Sequence, residues 1–119
     1  MGLTHITIEI ANPARPKSRL SLEFLVDSGA VYSVVPAGVL RKLKVRAHSK
    51  QVFSLADGTQ ITRRKADLLY RYNGKQGMAP VIFGEKGDST LLGAVTLEAL
   101  GMILDPIKRE LRPLPMILA

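Results

Sequence analysis

Cysteine is missing from all 119 residues, which excludes disulfides, thiolate nucleophiles and Cys-based zinc sites. Imidazoles are scarce as well. His5 and His48 are the only two, a poor basis for a His-rich metal centre or a Ser-His-Asp triad. Three Phe and three Tyr are too few, and too scattered, to make the stacking array that single-stranded nucleic acid prefers. No apolar run approaches the roughly 18 residues that a membrane helix needs. The first ten residues alternate polar and apolar and lack a signal-peptide profile. The expectation is a cytoplasmic protein without a membrane partner. Acids are outnumbered, ten against seventeen bases, for a net charge of +7.

What is present fits one domain spanning residues 1–119, long enough for a real core but short for two. A hydrophobic content of 46% excludes a disordered chain. The positive charge raises an anionic partner, yet the bases are spread over Arg15–Lys17–Arg19, Arg41–Lys42–Lys44–Arg46, Arg63–Arg64–Lys65 and Lys108–Arg109–Arg112. A solvated basic surface accounts for that distribution, and nucleic acid is not the expected partner.

Residues 4–10 alternate, with Ile6, Ile8 and Ile10 on one face of a half-buried strand. Asn12-Pro13-Ala14-Arg15-Pro16 marks a turn. Leu20, Leu22, Phe24 and Val26 then share the core face of a second strand, so the first two strands read as a hairpin. Residues 31–35 are β-rich up to Pro36, and residues 37–44 read as a short helix. Residues 51–55 and 59–72 make two strands joined by Ala56-Asp57-Gly58, a strong hairpin signal, and the second arm is long enough to project from the body. Asn73-Gly74 marks another hairpin, with residues 78–83 as its return strand. Residues 94–100 read as a short helix capped by Gly101. Residues 102–104 and 110–114 return to β. Many short strands at hairpin spacing predict an all-β, barrel-like domain.

The chemistry concentrates where the second strand ends. Leu25-Val26-Asp27-Ser28-Gly29-Ala30 drives an apolar strand into a carboxylate, a hydroxyl and a glycine, and Val31 to Val35 then turn apolar again. A core strand gains nothing by ending on Asp, since an unpaired buried carboxylate is costly. Asp-Ser-Gly is also ordinary turn chemistry, so the flanking residues matter more than the three letters.

That block resembles the active-site loop of retropepsin-like (clan AA) aspartic proteases, the family of the retroviral proteases. Two further stretches follow in the family's order. Ala56-Asp57-Gly58-Thr59 matches the tip of a β-hairpin flap, and Leu91-Leu92-Gly93 with the helix after it matches an apolar pair followed by glycine. Asp105-Pro106 looks like cellular, prokaryotic-type members. The resemblance covers about residues 20–104. It implies an all-β, retropepsin-like acid-protease barrel with a β-hairpin flap and one short helix near the C-terminus. It implies Asp27, Ser28 and Gly29 as catalytic residues, with Ser28 bonding the carboxylates and Gly29 bringing backbone close to substrate. Ala30, Ala56, Asp57, Gly58, Thr59 and Leu92 would contact a peptide or protein substrate, and Val34 is a further candidate for pocket lining. For Ala30, Val34 and Leu92 the alternative is plain core, and for Asp57 a turn former. Retroviral members carry Asp and Arg where this chain has Val31 and Ala94, so their mode of dimer contact does not carry over. The flap also lacks the several glycines of viral flaps.

Aspartic proteolysis needs two carboxylates sharing a proton, and the chain has one Asp-[Ser/Thr]-Gly. A homodimer is therefore expected, with Asp27 from each subunit. No metal or organic cofactor is implied, because the nucleophile is water. The Pro-rich tail, residues 111–119, would form dimer contacts or cap the barrel. Two other readings stay open: a retropepsin-fold dimerisation or peptide-binding module with little proteolysis, and a small basic nucleic-acid-binding barrel.

Overall fold

The computed structural model describes residues 3–115. Nine strands and two short helices follow one another as β1 (His5–Ala11), β2 (Arg19–Val26), β3 (Ser33–Pro36), α1 (Ala37–Lys42), β4 (Ser49–Ser54), β5 (Gln60–Tyr72), β6 (Lys75–Gly84), β7 (Leu91–Leu92), α2 (Ala94–Ala99), β8 (Met102–Asp105) and β9 (Glu110–Pro113). The architecture is all-β, as expected. Both short helices read from the sequence form, so the helix near the C-terminus is joined by α1. The tail beyond Pro115 falls outside the described residues.

Seven strands make one sheet in the order β1-β2-β7-β3-β6-β5-β4, and β5 returns to pair with β1. Six strands therefore close into a barrel. Period-two patterning drives the closure: Ile8, Ile10, Phe24, Val26, Leu68, Tyr70 and Val81 are buried together inside it. Burying each such large side chain contributes roughly 1.5–3 kcal/mol. The Phe24 and Tyr70 rings meet tilted, with centroids 6.5 Å apart.

β5 has a divided role. One edge pairs with β6 along residues 65–72. The other edge pairs with β4 at residues 60–65 and with β1 at residues 69–71. Residues 60–64 have β4 as their only ladder partner, so the β4–β5 hairpin projects beyond the barrel, as its length suggested. Its turn accepts Gly58 N–H at Leu55 O (2.9 Å) and returns Leu55 N–H to Thr59 O (2.7 Å). Gly58 sits at φ +87°, the left-handed position such a turn requires.

Helix α1 stops at Lys42, short of the expected Lys44. Lys44 has φ 61°, and the Asn12 side-chain amide donates to the carbonyls of Leu43 (3.2 Å) and Lys44 (2.9 Å). A cap from a turn some thirty residues upstream ends this helix, which local propensity could not show. Among the described residues no helix is long and apolar enough to cross a membrane.

Candidate active site

Asp27 follows directly on β2, where three contacts fix the strand's end. β2 runs parallel to β7, with Val26 opposite Leu92. Val26 N–H donates to Thr4 O (2.9 Å), and Asp27 N–H donates to Leu92 O (3.0 Å). The chain then turns back through Ala30 N–H to Asp27 O (3.1 Å). Asp27 Oδ1 accepts the Gly29 N–H at 3.0 Å, an Asx-type turn. Asp27, Ser28 and Gly29 are all exposed.

The loop is clamped to α2. A helix start leaves backbone donors without intrahelical partners, and α2 has no side-chain cap at its N-terminus. Here the loop's own carbonyls take them. Ala94 N–H donates to Ala30 O (2.8 Å) and Val95 N–H to Val31 O (3.1 Å). Gly93 N–H donates to the Ser33 hydroxyl at 3.0 Å. Val31 and Ala94 are thus tied through backbone to Val95 and Ala30 respectively. A Cβ on Gly93 would lie 2.6 Å from the Tyr32 carbonyl carbon, so only glycine permits this approach.

Beneath the loop lies a polar group that sequence reasoning missed. Ser33 Oγ and Thr96 Oγ1 are 2.6 Å apart, and both residues are fully buried. The Tyr70 phenol donates to Pro80 O at 3.3 Å. Burial pushes the Tyr70 phenol well above its ordinary pKa, partly opposed by the Thr96 and Ser33 hydroxyls beside it.

In front of Asp27 opens a cleft of about 740 Å³. Gly29, Ala30, Val31, Tyr32 and Val34 line one side, Phe53, Ser54, Leu55, Ile61 and Arg63 of the hairpin another, and Ile82, Leu91 and residues 87–89 the rest. Of the expected contact residues, Ala30 and Val34 line the cleft. Leu92 does not: it has 0% exposure and belongs to the core, while its neighbour Leu91 faces the cleft. Leu92 continues β2's buried face opposite Val26, and period two sends the adjacent side chain outward. Ala56, Asp57, Gly58 and Thr59 sit exposed at the hairpin's tip, beyond the cleft's lining. Asp57 Oδ1 accepts the Thr59 N–H at 2.9 Å. Hydrogen bonding from Thr59 holds the Asp57 carboxyl below its ordinary pKa. Phe53 and Ile61, opposite each other across the hairpin, fall within the two strands read from the sequence, which did not mark them as cleft lining.

Asp88 is the other carboxylate of the cleft, and Arg63 holds it through two bonds, Nε to Oδ2 at 2.8 Å and Nη2 to Oδ1 at 3.1 Å. The Arg63 hydrogen bond lowers the Asp88 pKa. Among the described residues the remaining aspartates are also engaged: Asp67 lies 3.4 Å from His48, and Asp105 accepts the Ile107 and Lys108 N–H groups. No group of three or more His, Cys, Asp or Glu is placed to hold a metal among the described residues.

No protein-family model matches the chain, and no curated protein matches it. Among solved structures, the protease of simian foamy virus (mac) is similar: 19% identity, TM-score 0.53, covering 78% of this chain and 92% of that one. The fold is retropepsin-like. The match carries the fold alone.

Proposed function

We propose that the protein is an aspartic endopeptidase acting as a homodimer, a retropepsin of the cellular, prokaryotic type with residues 1–119 as one catalytic domain. The observation that carries this reading is Asp27 itself: an exposed carboxylate at an open cleft, on a loop clamped by α2, in a fold shared with a viral protease. Asp88 is already bound by Arg63, so a second copy is the natural source of the second carboxylate. Leu3 and Val31 are 68% and 58% exposed, Val31 lines the same cleft as Asp27, and both are suited to being covered by that copy.

In the dimer the two Asp27 carboxyls share one proton. The ionised one takes a proton from water as the water oxygen attacks the peptide carbonyl carbon. The protonated one gives its proton to the carbonyl oxygen, forming a neutral diol. Collapse breaks the C–N bond: the nitrogen gains a proton from the dyad, and one diol hydroxyl returns a proton to it. Closeness of the carboxyls pushes the two apparent pKa values apart, and those values belong to the pair. Ser28 bonds the carboxylates, and Gly29 brings backbone close to the substrate. Ala56, Asp57, Gly58 and Thr59 form the flap tip that closes over the peptide and excludes water. An extended peptide is read by alternating pockets, and the lining by Phe53, Leu55, Ile61 and Leu91 favours apolar side chains at the cut.

The test is cleavage of a mixed peptide library from pH 3 to 8 by wild type and Asp27→Asn, with light scattering on the same samples. Cleavage by a dimer that vanishes in a still-dimeric Asp27→Asn supports the proposal. Cleavage that survives the substitution sinks it.

A further inference from the structure

The 29 residues between Asp27 and Asp57 contain no Asp or Glu, yet carry Arg41, Lys42, Lys44, Arg46 and Lys50. The fold gathers several of these on the outer face at the base of the β4–β5 hairpin. Arg41 of α1, Arg46 and Arg64 of β5 surround a hollow of about 220 Å³ with Phe83 in its wall. Arg64 lies over the Phe83 ring, 4.6 Å from its centroid, which holds the guanidinium in place. Lys50, Arg63 and Arg64 line an adjoining hollow of about 360 Å³. Arg63 also lines the Asp27 cleft. The second hollow thus shares Arg63 with the cleft and Arg64 with the first hollow. Glu85 lines the second hollow, at a loose 3.8 Å from Arg64, and no carboxylate lines the first among the described residues. Among the described residues Arg41, Arg46 and Lys50 make no ion pair.

We infer that this basic track is a docking site for an acidic polypeptide segment, which recruits substrates carrying a run of Asp or Glu to one side of the scissile bond. The recruitment half rests on the proposed protease activity; the docking half does not. Guanidinium forks match carboxylates with paired hydrogen bonds, and the shared Arg63 sets the track beside the cleft, within reach of an acidic run flanking the cut. Nucleic acid fits less well. Phe83, the aromatic in the first hollow, is 4% exposed and covered by Arg64, leaving no face for a base to stack upon.

The experiment uses fluorescein-labelled peptides with a tail of eight Glu or eight Gln, read by anisotropy on Asp27→Asn, which binds without cutting. Arg41→Gln/Arg46→Gln/Arg64→Gln is made on the same background, and its thermal midpoint checks folding. The Glu peptide is expected to bind at least about tenfold tighter than the Gln peptide at low salt. That gap should close in the triple variant and at about 0.5 M salt, where the screening length is only a few ångström. Equal binding of the two peptides, or a gap unchanged in the folded triple variant, overturns the docking site. So does a single-stranded oligonucleotide of equal charge binding more tightly than the Glu peptide. Wild-type cleavage of a library peptide bearing either tail is measured in parallel. Intact Glu-selective binding with no cleavage of any peptide removes the protease reading and leaves the docking site standing. Cleavage without preference for the Glu tail removes recruitment and leaves the protease.

Discussion

Asp27 is held in place by side chains that never reach the cleft. Gly93 has Tyr32 backbone where its Cβ would go, 2.6 Å from the carbonyl carbon and 2.7 Å from the oxygen. Backbone cannot swing aside as a long side chain can. Gly93→Ala should therefore cost about 1–3 kcal/mol, the range for overpacking, and lower activity by moving the loop; denaturant unfolding with a parallel activity assay measures both. Ser33→Ala leaves the buried Gly93 N–H without its acceptor, at about 1–3 kcal/mol. Thr96→Val keeps the shape and leaves that acceptor in place, so its loss should be the smaller one in the same unfolding experiment. The order of these two effects tests which hydroxyl anchors the loop. Asp27 and Gly93 were legible because each breaks an apolar pattern at a recognisable place. Ser33 and Thr96 were not: they are 63 residues apart, and nothing in either neighbourhood points to the other.

The projecting hairpin was legible from its Asp-Gly turn and its long second arm. Its tie to the body was not. Arg63 reads in the sequence like any surface base, and its partner Asp88 lies in the β6–β7 loop, 25 residues on. At the turn, Gly58→Ala places a Cβ in the left-handed region and should cost about 1–2 kcal/mol, visible in the thermal midpoint. The tie itself is pH-sensitive. Arg63 holds the Asp88 carboxyl below its ordinary pKa, with help from the Glu85 N–H. A carboxylate depressed on folding stabilises fully above the unfolded value of about 3.9, and that contribution is lost as pH falls through the folded value. The midpoint of wild type should thus exceed that of Asp88→Asn at pH 6, and the difference should shrink steadily as pH falls from about 4 towards 2. A difference that stays constant over that range means the pair does not bind the hairpin to the loop.

The stoichiometry of the site belongs to the whole molecule. The chain has five aspartates, and the structure occupies four of them: Asp57 in a turn, Asp67 beside His48, Asp88 under Arg63 and Asp105 in a second turn. That census could not be taken from the sequence, where all four read as turn or surface residues without named partners. If catalysis needs Asp27 from two copies, inactive subunits must poison active ones by exchange. With wild type held fixed and the two kinds of subunit pairing at random, an equal amount of Asp27→Asn should lower activity to about half. A ninefold excess should lower it to about one tenth, because few active subunits then find an active partner. Dilution of wild type alone should also reduce activity per chain once the concentration falls below the dimer dissociation constant. An enzyme working as a monomer would ignore both treatments. Adding the inactive subunit before and after prolonged incubation separates slow exchange from true indifference, since slow exchange gives inhibition that grows with time.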